Sequence, residues 1–221
     1  MYVVFYICRK IRMGFRMSKF LMVDIFAGLG GASSAMVNHP DWDVIRVECN
    51  SIPLEFHKSN NLKELATYIH GDITKWKTYQ DLITQIGGRT IDLLWMSPPC
   101  TEFSLARNPK IENPGIDLLF TSMALKESLK PRYWLIENVK GAIKKFNKIV
   151  GLPVYKLDPF YLWGVFPIFN PDIKHSKLDG DAKKMWSDDP LRPFTRAKVP
   201  LEFSEALRQT IQYQQQLDFK S

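Results

Sequence analysis

Three polar side chains lie just after two short apolar runs, and together they could act on an unsaturated ring. Cys100 ends the segment Ser97-Pro98-Pro99-Cys100, which follows the apolar run 91–96. The two prolines stiffen this loop and fix where the cysteine points, and a thiolate is a good nucleophile for a ring carbon. Glu137 and Asn138 follow the run 132–136, and a carboxylic acid there could hold and protonate a heterocycle nitrogen. The structural alternatives are an inert buried cysteine and a helix-capping acid.

A glycine-rich turn provides a second candidate site. Residues 26–31, Phe-Ala-Gly-Leu-Gly-Gly, follow the apolar run 20–26 and precede small residues that suit the start of a helix. Glycines let the backbone turn tightly and approach a ligand without a side-chain clash. The pattern differs from the dinucleotide and P-loop fingerprints, and no Lys-Ser/Thr pair follows, so nucleoside triphosphate binding is not expected. The alternative is a tight strand–helix turn that binds no ligand.

Two acidic residues follow the next two apolar runs. Glu48 ends the run 44–47, where a carboxylate could accept hydrogen bonds from both ribose hydroxyls of an adenosine. Asp72 comes shortly after the run 67–70 and could meet the exocyclic amine of adenine. Either acid could instead cap a helix or stabilise a turn.

The elements that must position these residues alternate along the chain. We predict strands at 20–26, 44–47, 67–70, 91–96, 132–136, 154–157 and 160–165, and helices at 53–65, 115–129 and 201–217. This order predicts an α/β fold with a mostly parallel sheet and helices on both faces. Ligands of such sheets bind beyond the carboxyl ends of the strands. Every polar motif named above falls at such an end, so the motifs support one another.

Composition and charge narrow the class of protein. The chain of 221 residues suits one domain, and its 45% hydrophobic residues can build a full core. A net charge of +7 suits a polyanionic partner such as nucleic acid, although a solvated basic surface would give the same value. Three cysteines, an odd and sparse set, do not suggest a disulfide framework, so we expect a reducing, intracellular and cytoplasmic setting. No Cys/His spacing is typical of zinc, and we predict no metal site.

The amino-terminal residues 1–19 are expected to be a flexible extension without an assigned function. Their apolar run, Tyr2 to Cys8, is too short to span a bilayer. The basic residues follow this run instead of preceding it, which is not typical of a secretory signal. We therefore expect no membrane partner.

The motifs together resemble the family of DNA (cytosine-5)-methyltransferases. The resemblance rests on Asp24 to Gly31, on Ser97 to Cys100 with Phe103-Ser104, and on Glu137-Asn138-Val139, which match in order, approximate spacing and strand-end placement. It covers about residues 20–139, with a weaker continuation to the carboxyl terminus. It implies the Rossmann-like fold of class I S-adenosylmethionine-dependent methyltransferases, and a setting in restriction-modification or viral DNA modification.

The resemblance also implies a mechanism. Cys100 would add to carbon 6 of a cytosine that has left the helix stack of double-stranded DNA. Glu137 would hold the amino edge and protonate ring nitrogen 3, and Asn138 would orient the cysteine loop. Carbon 5 would then accept a methyl group from S-adenosylmethionine.

Further residues receive roles from the same resemblance. The implied cofactor contacts are Asp24, Phe26, Gly28, Gly30, Gly31, Glu48, Cys49, Asp72, Ile73, Pro98 and Val199. The implied substrate contacts are Ser97, Pro99, Ser104, Arg107, Val139 and Lys140.

Two departures from the family pattern leave alternatives open. No Gln-x-Arg-x-Arg segment follows Glu137 to Val139; residues 160–164 stand in its place. Only residues 170–195, predicted as a loop, stand where family members insert a target-recognition domain, too few for a second core. We therefore expect residues 20–221 to form one catalytic domain, with rudimentary target recognition or a partner protein that supplies it.

Three other functions are considered. The same chemistry could act on RNA or on a free cytosine nucleotide, and a non-catalytic partner subunit could keep the fold. An oxidoreductase with this fold would leave Cys100 beside Glu137 unexplained.

Overall fold

A computed structural model describes residues 19–59, 66–99, 115–171 and 189–218. Within them lies a sheet of seven strands. In chain order these are β1 (Phe20–Ile25), β2 (Trp42–Glu48), β3 (Thr67–His70), β4 (Leu93–Met96), β5 (Tyr133–Asn138), β6 (Tyr155–Leu157) and β7 (Phe160–Val165).

The strands lie in the order β3-β2-β1-β4-β5-β7-β6. β1 to β5 pair in parallel, whereas β7 runs antiparallel to β5, and β6 antiparallel to β7. The predicted mostly parallel sheet is therefore confirmed. The strand order reverses between β1 and β4, and the crevice at such a switch point is where ligands of open α/β sheets bind. The glycine turn follows β1 and the diproline loop follows β4, so the topology brings these two motifs to that crevice.

The helices cover both faces of the sheet. They are α1 (Ser34–Val37), α2 (Ser51–Ser59), α3 (Trp76–Ile86), α4 (Gly115–Leu129), α5 (Ile143–Phe146), α6 (Arg192–Ala197) and α7 (Leu201–Asp218), with a 3₁₀ helix at Lys140–Ala142. The prediction for 115–129 matches α4, and α7 is one residue longer than predicted. The prediction of a helix at 53–65 corresponds to α2, which begins two residues earlier; residues 60–65 lie outside the described part of the chain.

The sequence analysis did not predict α3, α5, α6 or the 3₁₀ helix Lys140–Ala142. α3 was not predicted, although it ends at Gly87, a left-handed residue of the type that commonly closes a helix. α6 begins within the stretch 170–195, which was predicted as a loop. Pro193 lies in the first turn of α6, where its missing N–H costs no hydrogen bond, so it starts this helix instead of breaking the chain.

The core has two layers because side chains alternate across each strand. On β1, Leu21 and Val23 point into a first layer that α3 and α4 cover, whereas Met22 points into a second layer that α7 covers. The first layer is completed by Leu82 of α3 and Leu119 of α4. The second takes Phe203, Leu207 and Ile211 from α7. Helices on both faces are therefore confirmed.

A buried carboxylate attaches α7 to the sheet. Asp92 precedes β4, and its Oδ2 accepts a hydrogen bond from the backbone N–H of Leu21 at 2.8 Å. Its Oδ1 accepts one from the Gln215 side chain of α7 at 2.6 Å. Burying a carboxylate is costly unless it is hydrogen-bonded, and these two bonds meet that requirement.

No described helix combines the length and the apolar character that a membrane span requires.

Replacing Gln215 by Leu should destabilise the protein, because the buried Asp92 carboxylate would lose one of its two donors. The expected loss in the free energy of unfolding is about 1–3 kcal/mol, measured by urea titration. The control is Gln80→Leu, an exposed position in α3, which should change stability by no more than about 0.5 kcal/mol. Equal effects of the two substitutions would contradict the role given to Gln215.

Candidate active site

The glycine turn after β1 is held by the end of β2. Phe26, Gly28 and Gly30 all have positive φ, at 60°, 51° and 69°, a region that glycine enters at little cost but that strains Phe26. The N–H of Gly28 donates to Oε2 of Glu48 at 2.8 Å. Oε1 of Glu48 accepts from the N–H of Asn50, also at 2.8 Å. The carboxylate at the end of β2 therefore fixes the turn after β1.

Beneath this turn lies a buried charge network that the sequence analysis missed. Arg46 on β2 is paired in register with Asp24 on β1 and has no exposed surface. Its guanidinium donates to the Ser33 hydroxyl at 2.8 Å, to the Gly30 carbonyl at 3.0 Å and to the Tyr68 hydroxyl at 2.7 Å. The Ser33 hydroxyl in turn donates to Asp24 at 2.6 Å. The signal available in the sequence was a single arginine inside the apolar run 44–47.

Arg46 also explains why position 30 is glycine. A Cβ there would lie 2.2 Å from the Arg46 Cζ, which is far inside van der Waals contact. Burial raises the pKa of Asp24 to about 7, because the opposing effects of Arg46 and the Ser33 hydrogen bond offset it only in part. Asp24 was expected to contact the cofactor. The structure buries it under the turn, so its effect on the binding of a ligand would be indirect, through the conformation of the turn.

The chain returns to the glycine turn just before α7. A Cβ at Gly31 would lie 2.6 Å from the backbone N of Val199, so the close approach of this segment requires a glycine. The Val199 side chain is buried in the second core layer. The backbone of Val199 thus lies next to the turn, and the expected contact of Val199 with the cofactor stays a prediction.

The residues after β2 and β3 lie side by side at the edge of the crevice. Asp72 is exposed, and its Oδ1 accepts hydrogen bonds from the N–H and the hydroxyl of Thr74 at 2.9 and 2.8 Å. The Thr74 N–H is the main reason that the pKa of Asp72 lies below its usual value. Cys49 is exposed, and His70 Nε2 lies 3.1 Å from its carbonyl. Ile73 packs into the first core layer, and its contact with an adenine stays a prediction.

Glu137 lies at the end of β5, beside the loop that follows β4. The Trp95 indole N–H donates to the Ser97 hydroxyl at 2.6 Å, and Ser97 is hydrogen-bonded to Glu137. The residue is partly exposed by surface area, but its carboxyl group is enclosed by protein. Burial raises the pKa of Glu137 to about 7, with a smaller lowering by the Ser97 hydrogen bond. A carboxyl group with this pKa can hold a proton near neutral pH and release it.

Asn138 fixes the start of the diproline loop. Its side-chain Nδ2 donates to the Pro98 carbonyl at 2.9 Å, and its Oδ1 accepts from the Val139 N–H at 2.9 Å. Asn138 and Pro98 are buried, whereas Pro99 is exposed. Pro99, the last described residue before Cys100, therefore lies in a loop that Asn138 of β5 attaches through the Pro98 carbonyl.

Several predicted site residues lie outside the described part of the chain. They are Cys100, Ser104 and Arg107. Val139 is half-buried and Lys140 is exposed, both directly after β5. Among the described residues, no group of three or more His, Cys, Asp or Glu side chains is arranged to hold a metal ion.

Comparison with known proteins confirms the family resemblance. Residues 20–154 match the model of the C-5 cytosine-specific DNA methylase family. The chain is 30% identical over 125 residues to the Type II methyltransferase M.XorII of Xanthomonas oryzae pv. oryzae. That alignment covers 57% of this chain and 29% of the other protein. It is 24% identical over 152 residues to a protein of Frog virus 3 named "Probable DNA (cytosine-5)-methyltransferase", with 62% and 61% covered.

The matched part of the chain therefore spans less than a third of the length of the first relative and about three fifths of the length of the second. Among solved structures, it is similar to a human methyltransferase 10 domain containing protein, at 14% identity and a TM-score of 0.45. That alignment covers 69% of this chain and 74% of the other.

Replacing Arg46 by Met should strongly destabilise the protein. At about pH 8, one unit above the pKa of Asp24, the buried carboxylate would lose its cation, at a cost of about 3–5 kcal/mol in the free energy of unfolding. The double variant Asp24→Asn/Arg46→Met should lose less than the sum of the two single losses, because no uncompensated charge remains. Additive losses in denaturant titrations would show that the two side chains are not coupled.

The raised pKa of Glu137 predicts a pH-dependent stability. Because the ionised form is disfavoured in the folded state, the wild type should lose stability relative to Glu137→Gln as pH rises. The loss should begin above about pH 4.5, the ordinary pKa, and level off above about pH 7. Its full size should be up to about 3 kcal/mol, measured as the difference in unfolding free energy between the two proteins. A difference that stays constant with pH would contradict the shift.

Proposed function

The chain belongs to the C-5 cytosine-specific DNA methylase family, and from that premise we propose that it methylates carbon 5 of cytosine in DNA. The observation that carries this proposal is the pair of cross-strand contacts at β4 and β5. Glu137 has a pKa near neutrality beside Ser97, and Asn138 holds the loop that leads to Cys100. A binding module would need neither the proton-holding acid nor the anchored cysteine loop.

The glycine turn and its surroundings fit S-adenosylmethionine. Each oxygen of Glu48 accepts one backbone N–H, and the Cys49 side chain is hydrogen-bonded to the same carboxylate, which leaves one of its four lone pairs to accept a ribose hydroxyl. Asp72 uses Oδ1 for Thr74, so its Oδ2 remains for the adenine amine. The left-handed glycines 28 and 30 let the backbone approach the bound molecule. When bound, the cofactor supplies an electrophilic methyl group on a sulfonium centre.

The protein residues would prepare the cytosine ring for methylation. The Cys100 thiolate would form a bond to carbon 6 while Glu137 donates a proton to ring nitrogen 3, so that no negative charge accumulates on the ring. Carbon 5 then carries the electron density needed to accept a methyl group. Loss of the carbon 5 proton to a water molecule, expulsion of the Cys100 thiolate and return of the nitrogen 3 proton to Glu137 would restore the aromatic ring and the enzyme.

The environment of Glu137 suits this task. At neutral pH a substantial fraction of the group carries its proton, which an ordinary glutamate would not. The Ser97 hydroxyl, itself fixed by the Trp95 indole, orients the carboxyl group without neutralising it with a cation. We propose that Ser97 acts as a positioning residue in this way.

The substrate is proposed to be double-stranded DNA, from which the target cytosine is flipped into the crevice. A cysteine nucleophile can reach carbon 6 of a cytosine in duplex DNA only if the base leaves the stack. We further propose that residues 20–221 form one catalytic domain, in which residues 170–195 occupy the place of the family's target-recognition domain. A partner protein would then supply the recognition of the target sequence.

A methyl-transfer assay with labelled S-adenosylmethionine tests the proposal. The wild type should methylate duplex DNA, and Cys100→Ser should lose at least about a thousandfold in rate, because nucleophilic activation of the ring is lost. Glu137→Gln should lose roughly a hundredfold or more, the usual contribution of a general acid. Cys8→Ser, outside every motif, is the matched control and should keep full activity.

Covalent trapping separates the mechanism from contamination by another enzyme. When S-adenosylmethionine is present and the target base is 5-fluorocytosine, carbon 5 has no proton to lose after methyl transfer, so the Cys100 thiolate cannot be expelled. The wild type should then form an adduct that survives denaturation, and Cys100→Ser should not. Transfer to tRNA or to dCMP but not to duplex DNA would overturn the DNA assignment. An absence of transfer to every cytosine-containing substrate would overturn the proposed activity itself.

A further inference from the structure

The segment after β5 consists of two short helices followed by hydrogen-bonded turns. It begins as the 3₁₀ helix Lys140–Ala142 and continues as α5, Ile143–Phe146. Backbone hydrogen bonds of helical type extend it further: the N–H of Asn147 donates to the Ile143 carbonyl at 2.9 Å, and that of Val150 to the Phe146 carbonyl at 2.8 Å. Side chains from 140 to 150 therefore follow helical spacing.

One face of this stretch is fixed in the core. Ala142 and Phe146 have no exposed surface and pack in the first core layer, where Phe146 lies 4.9 Å from Trp163 between ring centroids. At 3.6 residues per turn, the opposite face carries Lys140, Lys144 and Lys148, and all three are exposed. These three side chains are called the lysine stripe below.

The lysine stripe has no acidic counterpart nearby in the sequence. No Asp or Glu occurs between Glu137 and Asp158, whereas Lys145 and Lys156 add two further positive charges. None of the three stripe lysines forms an ion pair within the described part of the chain. Like charges four residues apart destabilise a helix, so this arrangement is unfavourable in the free protein and favourable when an anion lies along it.

The stripe also lies at the edge of the sheet that carries the proposed catalytic residues. It starts two residues after Asn138, at the carboxyl end of β5, the same sheet edge as Glu137 and the diproline loop. From Lys140 to Lys148 the helical rise is about 12 Å, which matches three to four successive phosphates at about 3.4 Å of axial rise per nucleotide in one strand.

We propose that the lysine stripe binds the phosphate backbone of duplex DNA beside the catalytic pocket. This inference rests on the proposed function for its substrate, and adds the surface that holds it. Lysine meets phosphate as a point charge, and phosphate contacts set the register and orientation of a protein on DNA without reading its sequence. The stripe therefore supplies affinity that is independent of sequence.

The test is the salt dependence of binding to a short fluorescent DNA duplex, measured by anisotropy without cofactor. Each phosphate contact contributes about 0.9 to the slope of log K against log salt. Lys144→Gln/Lys148→Gln should therefore lower the slope by about 1.8 and weaken binding at least tenfold near 0.1 M salt. The stability of the fold should be unaffected, because both side chains are exposed.

The matched control is Lys130→Gln/Arg132→Gln. It removes the same charge from exposed positions at the amino end of β5, the opposite edge of the sheet. Its slope should equal that of the wild type. Equal slopes for the stripe variant and the wild type, or equal losses in the stripe variant and the control, would overturn the inference.

The outcome can be separated from that of the proposed function. If the wild type methylates DNA and the stripe variant binds DNA as the wild type does, the proposed role of the lysine stripe is wrong and the proposed function stands. If the stripe variant loses binding but the wild type transfers no methyl group, the surface stands and the function is wrong. Stripe-dependent binding that is tighter for single-stranded RNA than for the duplex would overturn the choice of DNA.

Discussion

Arg46 and Asp24 lie side by side on β2 and β1, both with essentially no exposed surface. Removing two charges from water costs several kcal/mol per ion unless further hydrogen bonds compensate. Here the compensation comes from the turn itself, since the guanidinium donates to the Gly30 carbonyl and to Ser33. The guanidinium thus holds the turn at Gly30, as the Glu48 carboxylate holds it at Gly28. The proposed cofactor half of the site therefore lies over one buried network of Arg46, Ser33 and Asp24.

The other half of the site, around Glu137 and the diproline loop, is also held by side-chain contacts between neighbouring strands, but different groups make them. β4 and β5 are joined beyond their ends by Trp95–Ser97–Glu137 and by the Asn138–Pro98 hydrogen bond. Because β1 and β4 are neighbours, the two halves face each other across the switch point. Cross-strand side-chain contacts, more than loop rigidity alone, bring the turn and the cysteine loop into one crevice.

Much of this arrangement could be predicted from the sequence, and the remainder has identifiable causes. The strands Thr67–His70 and Phe160–Val165 and the helix Gly115–Leu129 have the predicted bounds, because each is a continuous or periodic apolar run with clear ends. The helix Trp76–Ile86 was missed although Tyr79, Leu82, Ile83 and Ile86 show helical spacing. Arg46 could not be assigned a partner, because its contact with Asp24 depends on the register of two strands that are distant in sequence. Alternation within one strand does not give that register.

Asp24 and Glu137 both have a pKa near 7 because of burial, but the groups around them differ. The difference distinguishes a carboxyl group that serves stability from one that is proposed to transfer a proton. Asp24 has Arg46 beside it, which lowers the cost of its ionised form. For Glu137 the only opposing influence is the Ser97 hydrogen bond, and no cation of the described residues contributes. A carboxyl group that served stability alone would gain from a cation, as Asp24 does. A cation beside Glu137 would lower its pKa and so reduce the fraction of the group that holds a proton at neutral pH. Among the described residues no cation acts on Glu137, and this environment suits its proposed role as proton donor.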